Sequence, residues 1–172
     1  MVASENTLHK AQLRRERKAA AEQAPPLAWH GWFDGSAHPN PGKMGIGALL
    51  LGPNGERVEI SLAAGYGDSS EAEYAALAAL LQAALQVQPA QLLLHGDSQV
   101  VINDVLGVTR RPAKGLETQR AAVHALLAQL PGASLHWVPR HRNGEADRLS
   151  QAAIALEGRT GPDSHAAGDG GA

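Results

Sequence analysis

The order in which apolar runs change their period along the chain is the strongest constraint on its fold. Trp29 to Asp34 is a short apolar run closed by turn residues, which reads as a strand. Gly45 to Leu51 and Arg57 to Leu62 follow, joined by the hairpin sequence Gly52-Pro53-Asn54-Gly55. Beyond them the period lengthens. Ser70 with Glu73 three residues on reads as a capping box, and Tyr74, Leu77, Ala78, Leu81 and Leu85 recur at helical spacing. Gln91 to Gly96 is a buried strand, helices follow over Ser98 to Leu106 and Leu116 to Leu130, then a strand over Ser134 to Val138 and a helix over Glu145 to Glu157. The order β-β-β-α-β-α-α-β-α predicts an α/β fold with a five-stranded mixed sheet, antiparallel in its first half, flanked by helices.

The ends read differently. Residues 1–27 hold five Lys and Arg against three acids and form a charged extension, helix-prone to about residue 24 and closed by Pro25 and Pro26. Residues 158–172 are Gly-rich and read as a disordered tail, leaving 28–157 as one domain. That domain carries nine basic residues against twelve acids, the opposite of the basic excess usual in a nucleic-acid binder. An acidic centre that recruits divalent cations accounts for such a deficit. Cysteine is absent, which excludes disulfides and zinc–thiolate sites. No apolar run approaches the roughly 18 residues of a membrane span. The acids Glu5, Glu16 and Glu22 argue against a transit peptide, so the expected location is the cytoplasm.

Two strands meet an aspartate followed by a small residue, in Phe33-Asp34-Gly35-Ser36 and Gly96-Asp97-Ser98. Chemistry in an open α/β sheet collects at strand carboxyl ends, although either residue alone reads equally as a cap for the following turn. Glu71 lies three residues before Tyr74 and so extends the buried stripe of its helix, where a carboxylate is costly unless a cation faces it. Asp147 stands in the first turn of the last helix, where complementing the helix dipole is its other reading. Four converging acids fit phosphoryl chemistry at two divalent ions, which need oxygen ligands and neither His nor Cys.

At this point the residues resemble a known family. Asp34-Gly35-Ser36-Ala37-His38-Pro39-Asn40-Pro41-Gly42-Lys43-Met44-Gly45-Ile46-Gly47 is similar to the opening motif of type 1 ribonuclease H. Ser70-Glu71-Ala72-Glu73-Tyr74 resembles its second motif, Gly96-Asp97-Ser98-Gln99-Val100-Val101 its third, and Trp137 to Asp147 its last. The resemblance covers Trp29 to Glu157 and implies a ribonuclease H-like fold and an endonuclease that cuts the RNA strand of RNA–DNA hybrids. It implies two Mg²⁺ ions (or Mn²⁺), bridged by Asp34, with Glu71 and Asp97 on the leaving-group side and Asp147 on the side that activates water. Gly35, Ser36, Asn40, Ser69, Ser70 and Gln99 fall where such enzymes approach the nucleic acid, whose shape, phosphates and 2′-hydroxyls carry recognition.

Three departures from the family pattern stand out. Ser69 and Ser70 occupy positions where members commonly carry two Asn. Only Arg110, Arg111 and Lys114 stand where many bacterial members place a longer basic handle, so the chain resembles the compact branch. The loop before Asp147 is short, yet His141 stands where longer members carry a mobile catalytic His; its other reading is an ordinary surface His. Competing readings are a hybrid-binding module without catalysis and another nuclease of the same fold. A dinucleotide site at Gly42, Gly45 and Gly47 has the wrong spacing and no following helix. The expected assembly is a monomer.

Overall fold

The computed structural model describes residues 27–157, together with Gln12 and Arg15, both helical and exposed. The rest of the expected N-terminal helix and the Gly-rich tail lie outside the described residues. The elements are β1 (Trp29–His38), β2 (Gly42–Leu51), β3 (Arg57–Gly67), α1 (Ser69–Val87), β4 (Leu92–Gly96), α2 (Gln99–Leu106), α3 (Glu117–Ala128), β5 (Ala133–Trp137), a 3₁₀ turn (Arg140–Arg142) and α4 (Gly144–Glu157). The five strands lie in the order β3-β2-β1-β4-β5. β1, β2 and β3 pair antiparallel, while β4 runs parallel to both β1 and β5. This is the expected mixed sheet.

Of the boundaries that differ from the sequence reading, two bear on function. β1 does not stop at Asp34. Its pairing with β2 continues to His38↔Lys43, so Gly35 and Ser36 are ladder residues rather than a turn. The pairing of β1 with β4, in contrast, ends at Trp32↔His95. The second difference is the start of α1. Asp68 is its N-cap and Glu71 the third helical residue, two positions ahead of the expected Ser70 and Glu73.

The sheet is covered on both faces. Phe33, Ile46, Leu50, Leu92 and Leu94 pack with Leu77, Leu80 and Leu81 of α1 and Val123 of α3 in one buried cluster. Interdigitated aliphatic side chains of this kind supply roughly 25 cal/mol for each Å² removed from water. α4 lies on the opposite face against β1, β2 and β3. Its approach to β2 depends on Gly47, where a Cβ would collide with the Ala146 carbonyl and the Ser150 amide. Gly35 does the same for α1, since a Cβ there would strike the backbone of Ala72 and Glu73. No helix among the described residues is long and apolar enough to cross a membrane.

Candidate active site

Asp34 and Asp97 each lie two residues beyond the last β1–β4 pair, Trp32↔His95. Side chains alternate along a strand, so both carboxylates leave the sheet on the same side and at the same level. Trp137 at the end of β5 donates its indole N–H to the Asp97 carbonyl at 3.1 Å, fixing the backbone there. α1 supplies the third acid, and it is Glu73. The carboxylates of Asp34, Glu73 and Asp97 come together with oxygens within 4.8 Å of one another.

The expectation for Glu71 is therefore corrected. Its carboxylate accepts the Asp68 N–H at 2.8 Å while its own N–H donates to Asp68 Oδ1 at 2.9 Å, a reciprocal capping box at the rim of the helix. Residues two apart on a helix point about 200° apart, so Glu71 and Glu73 cannot both face the sheet. Glu73 shares the inward stripe with Ala76, Leu77, Leu80 and Ala84, whereas Glu71 does not.

Burial sets the electrostatics of the cluster. Asp34 is 6% exposed, and burial pushes its carboxyl up to about 6 despite the hydrogen bond from Ser150 Oγ at 2.5 Å. Asp97 and Asp147 push it in the same direction, and Arg140 opposes them. Glu73 is also 6% exposed and is held well above the usual carboxylate range, first by burial and then by Asp34 and Asp97. Among the described residues its Oε2 has no hydrogen-bond partner. A buried, unpartnered carboxylate oxygen facing two more carboxylates is expensive unless a cation compensates. Three hard oxygen donors fit Mg²⁺ or Mn²⁺ and suit softer metals poorly.

The remaining expected residues fall into three groups. Asp147, in the first turn of α4, stands close enough to act on Asp34 but outside the three-acid group, with Arg140 at 3.9 Å. Gly35 is buried against α1, and Ser36 is buried with its hydroxyl donating to Ser150 at 3.2 Å. Asn40, in the β1–β2 turn, donates to Ser69 Oγ and accepts the Ser69 N–H, both at 3.1 Å, which ties that turn to the start of α1 beside Ser70. Gln99 is exposed at the first position of α2. His141 is exposed in the 3₁₀ turn and lines a cavity of about 440 Å³ with Trp32, Leu49, Leu51 and Arg57; it is not part of the acid cluster.

Sequence reasoning also missed two supporting residues. Ser150 holds Asp34, and Asn143, 1% exposed, donates to the Phe33 carbonyl at 2.9 Å and so anchors the loop before α4 beside Asp34. Asn143 further accepts the Asp147 N–H through its backbone carbonyl at 3.0 Å. A small polar residue on the inward side of α4 was the available signal for Ser150.

This mixed sheet, with buried acids where β1 and β4 part, defines the ribonuclease H-like class of α/β proteins. The family model described as "Reverse transcriptase-like" matches residues 32–153. A Ribonuclease HI of Halobacterium salinarum is 33% identical over 126 residues, covering 73% of this chain and 63% of that protein. The crystal structure of RNase H1 from the same archaeon is 32% identical with a TM-score of 0.70, covering 75% of this chain and 98% of that one. LC11-RNase H1 in complex with an RNA/DNA hybrid is 26% identical with a TM-score of 0.68, covering 75% of this chain and 98% of that one. The chain belongs to the type 1 ribonuclease H family.

Proposed function

We propose that the protein is a divalent-metal-dependent endonuclease that hydrolyses the RNA strand of RNA–DNA hybrids. The observation that carries this reading is the acid cluster of Asp34 and Glu73, both buried, and the half-buried Asp97, with an oxygen on Glu73 that has no hydrogen-bond partner among the described residues. A scaffold that merely binds duplexes has no use for three closely apposed acids, two of them buried, each destabilising the others in the absence of a cation. Relatives named as ribonucleases H, one of them in complex with a hybrid, support the choice of substrate.

Asp34, Glu73 and Asp97 are the proposed ligands, with Asp147 completing the set from α4. Two Mg²⁺ or Mn²⁺ ions held there would supply an activated water and neutralise charge on the departing 3′-oxygen. The chain's own contribution is orientation. Ser150 fixes the Asp34 carboxylate, and Asn143 fixes the loop leading to Asp147. The Asn40–Ser69 link couples the β1–β2 turn to the start of α1, where Ser70 and Asn40 are proposed to meet the minor groove with Gln99. His141, on the loop before Asp147, is proposed to accept or return the proton of the reaction. The cytoplasmic location and monomeric state expected from the sequence belong to the same proposal.

The test is cleavage of an RNA–DNA hybrid, a DNA duplex and an RNA duplex side by side, with and without Mg²⁺. Metal-dependent cutting confined to the RNA strand of the hybrid is expected. Tight hybrid binding without cutting would favour a binding module, and preferred cutting of DNA would favour a different nuclease of this fold.

A further inference from the structure

A third buried carboxylate is not part of the acid cluster. Asp104 of α2 is 4% exposed. It accepts the Tyr74 hydroxyl at 2.5 Å, Arg120 Nε at 2.9 Å and the Ala113 backbone N–H at 3.0 Å. Arg120 Nη2 in turn donates to the Ala113 carbonyl at 2.9 Å. Burial opposes ionisation of Asp104, but its bonds to Tyr74, Arg120 and Ala113 outweigh this, and its carboxyl is held below the usual range. One carboxylate thus joins α1, α2 and α3, and with Arg120 it grips both backbone polar groups of Ala113.

A buried ion pair is a weak argument for stability, because desolvation offsets much of its attraction. What this one holds is the segment between α2 and α3, which has no regular structure. Arg110, Arg111 and Lys114 flank Ala113, are exposed, and have no ion-pair partner among the described residues. They are three of the nine basic residues in an otherwise acidic domain. Loose cations on a free loop would lose entropy on meeting phosphates, whereas a pre-positioned loop has already lost it in folding.

We infer that Asp104, held by Tyr74 and Arg120, is a positioning residue that clamps the 107–116 loop so that Arg110, Arg111 and Lys114 meet the phosphates of the bound duplex. The identity of that duplex rests on the function proposed above; the clamp itself does not. Asp104→Asn preserves shape and removes the charge, and Arg120→Gln opens the clamp from the other side should the first variant fold poorly.

In both variants, amide hydrogen exchange over 108–116 should quicken while β1 and β4 keep wild-type protection. Affinity for a fluorescent RNA–DNA hybrid should fall several-fold, with the salt slope reduced by about one to two. KM should rise in parallel and kcat stay within about twofold. In an Arg110→Ala/Arg111→Ala/Lys114→Ala background, Asp104→Asn should add nothing further to KM, because the loop it positions is already neutral. Unchanged loop exchange, an additive loss in that background, or a lower kcat at constant KM would overturn the clamp. A wild-type protein that fails to cleave the hybrid overturns the function reading instead, and loop exchange then decides the clamp alone.

Discussion

Glu73 and Glu71 stand two residues apart in one helix, and replacing each should have opposite consequences. The carboxylate oxygens of Asp34, Glu73 and Asp97 lie within 4.8 Å. At an effective dielectric of about 20, two unit charges at that distance repel by about 3.5 kcal/mol. Neutralising one of the three acids relieves part of this repulsion, so Glu73→Gln should stabilise the metal-free protein by roughly 2 kcal/mol near pH 7.5. That corresponds to a rise in Tm of about 5 °C for a domain of this size. The same substitution should reduce hybrid cleavage below detection. Glu71→Ala, which removes one half of a capping box, should lower Tm by about 3 °C through a loss of about 1 kcal/mol and leave turnover intact. Melting curves in chelator and cleavage rates in Mg²⁺ on the same preparations give both readouts. If Glu71→Ala were inactive and Glu73→Gln active, the placement of the two acids would be refuted.

Three further outcomes are expected. Asp34 has its carboxyl raised from 3.8 to about 6, so its folded form binds the proton more tightly than the unfolded chain. Metal-free stability is therefore fullest below about pH 4 for this group and falls by about 3 kcal/mol as pH rises through 6. Mg²⁺ should abolish that decline, and a flat profile in chelator would contradict it. His141→Ala should slow turnover on the order of 10²-fold or more at unchanged KM, and wild-type rates across neutral pH would make His141 a bystander. Deleting residues 1–26 should weaken hybrid binding at low salt with kcat unchanged, an effect that fades above about 0.2 M salt because it rests on Lys and Arg alone.

The strand–helix order and the approach of Asp34 to Asp97 were legible because they depend on local period and on residues next to strand ends. Three things were not legible. Asp34 reads as a strand end, since Gly35 and Ser36 are turn formers, yet the ladder to β2 carries β1 on to His38. Tertiary pairing overrode local propensity there. The second acid was displaced by the capping frame: Ser70 with Glu73 and Asp68 with Glu71 both satisfy the box spacing. Only the packing of α1 on Gly35 selects the second frame, turning Glu73 inward. The partners Ser150–Asp34 and Tyr74–Asp104 span 116 and 30 residues, and no periodicity reports a hydrogen bond across such separations.

The Asp34, Glu73 and Asp97 cluster is proposed to cut RNA in a hybrid by means of bound divalent cations. The most direct test follows cleavage of the RNA strand of an end-labelled RNA–DNA hybrid across a Mg²⁺ titration, with wild-type protein and Asp97→Asn in parallel. The expected result is no cleavage in chelator, internal cuts in the RNA strand that rise with Mg²⁺ for wild type, and none for Asp97→Asn despite retained fold and measurable hybrid binding. Cleavage by wild type in chelator, or wild-type rates from Asp97→Asn, would contradict it.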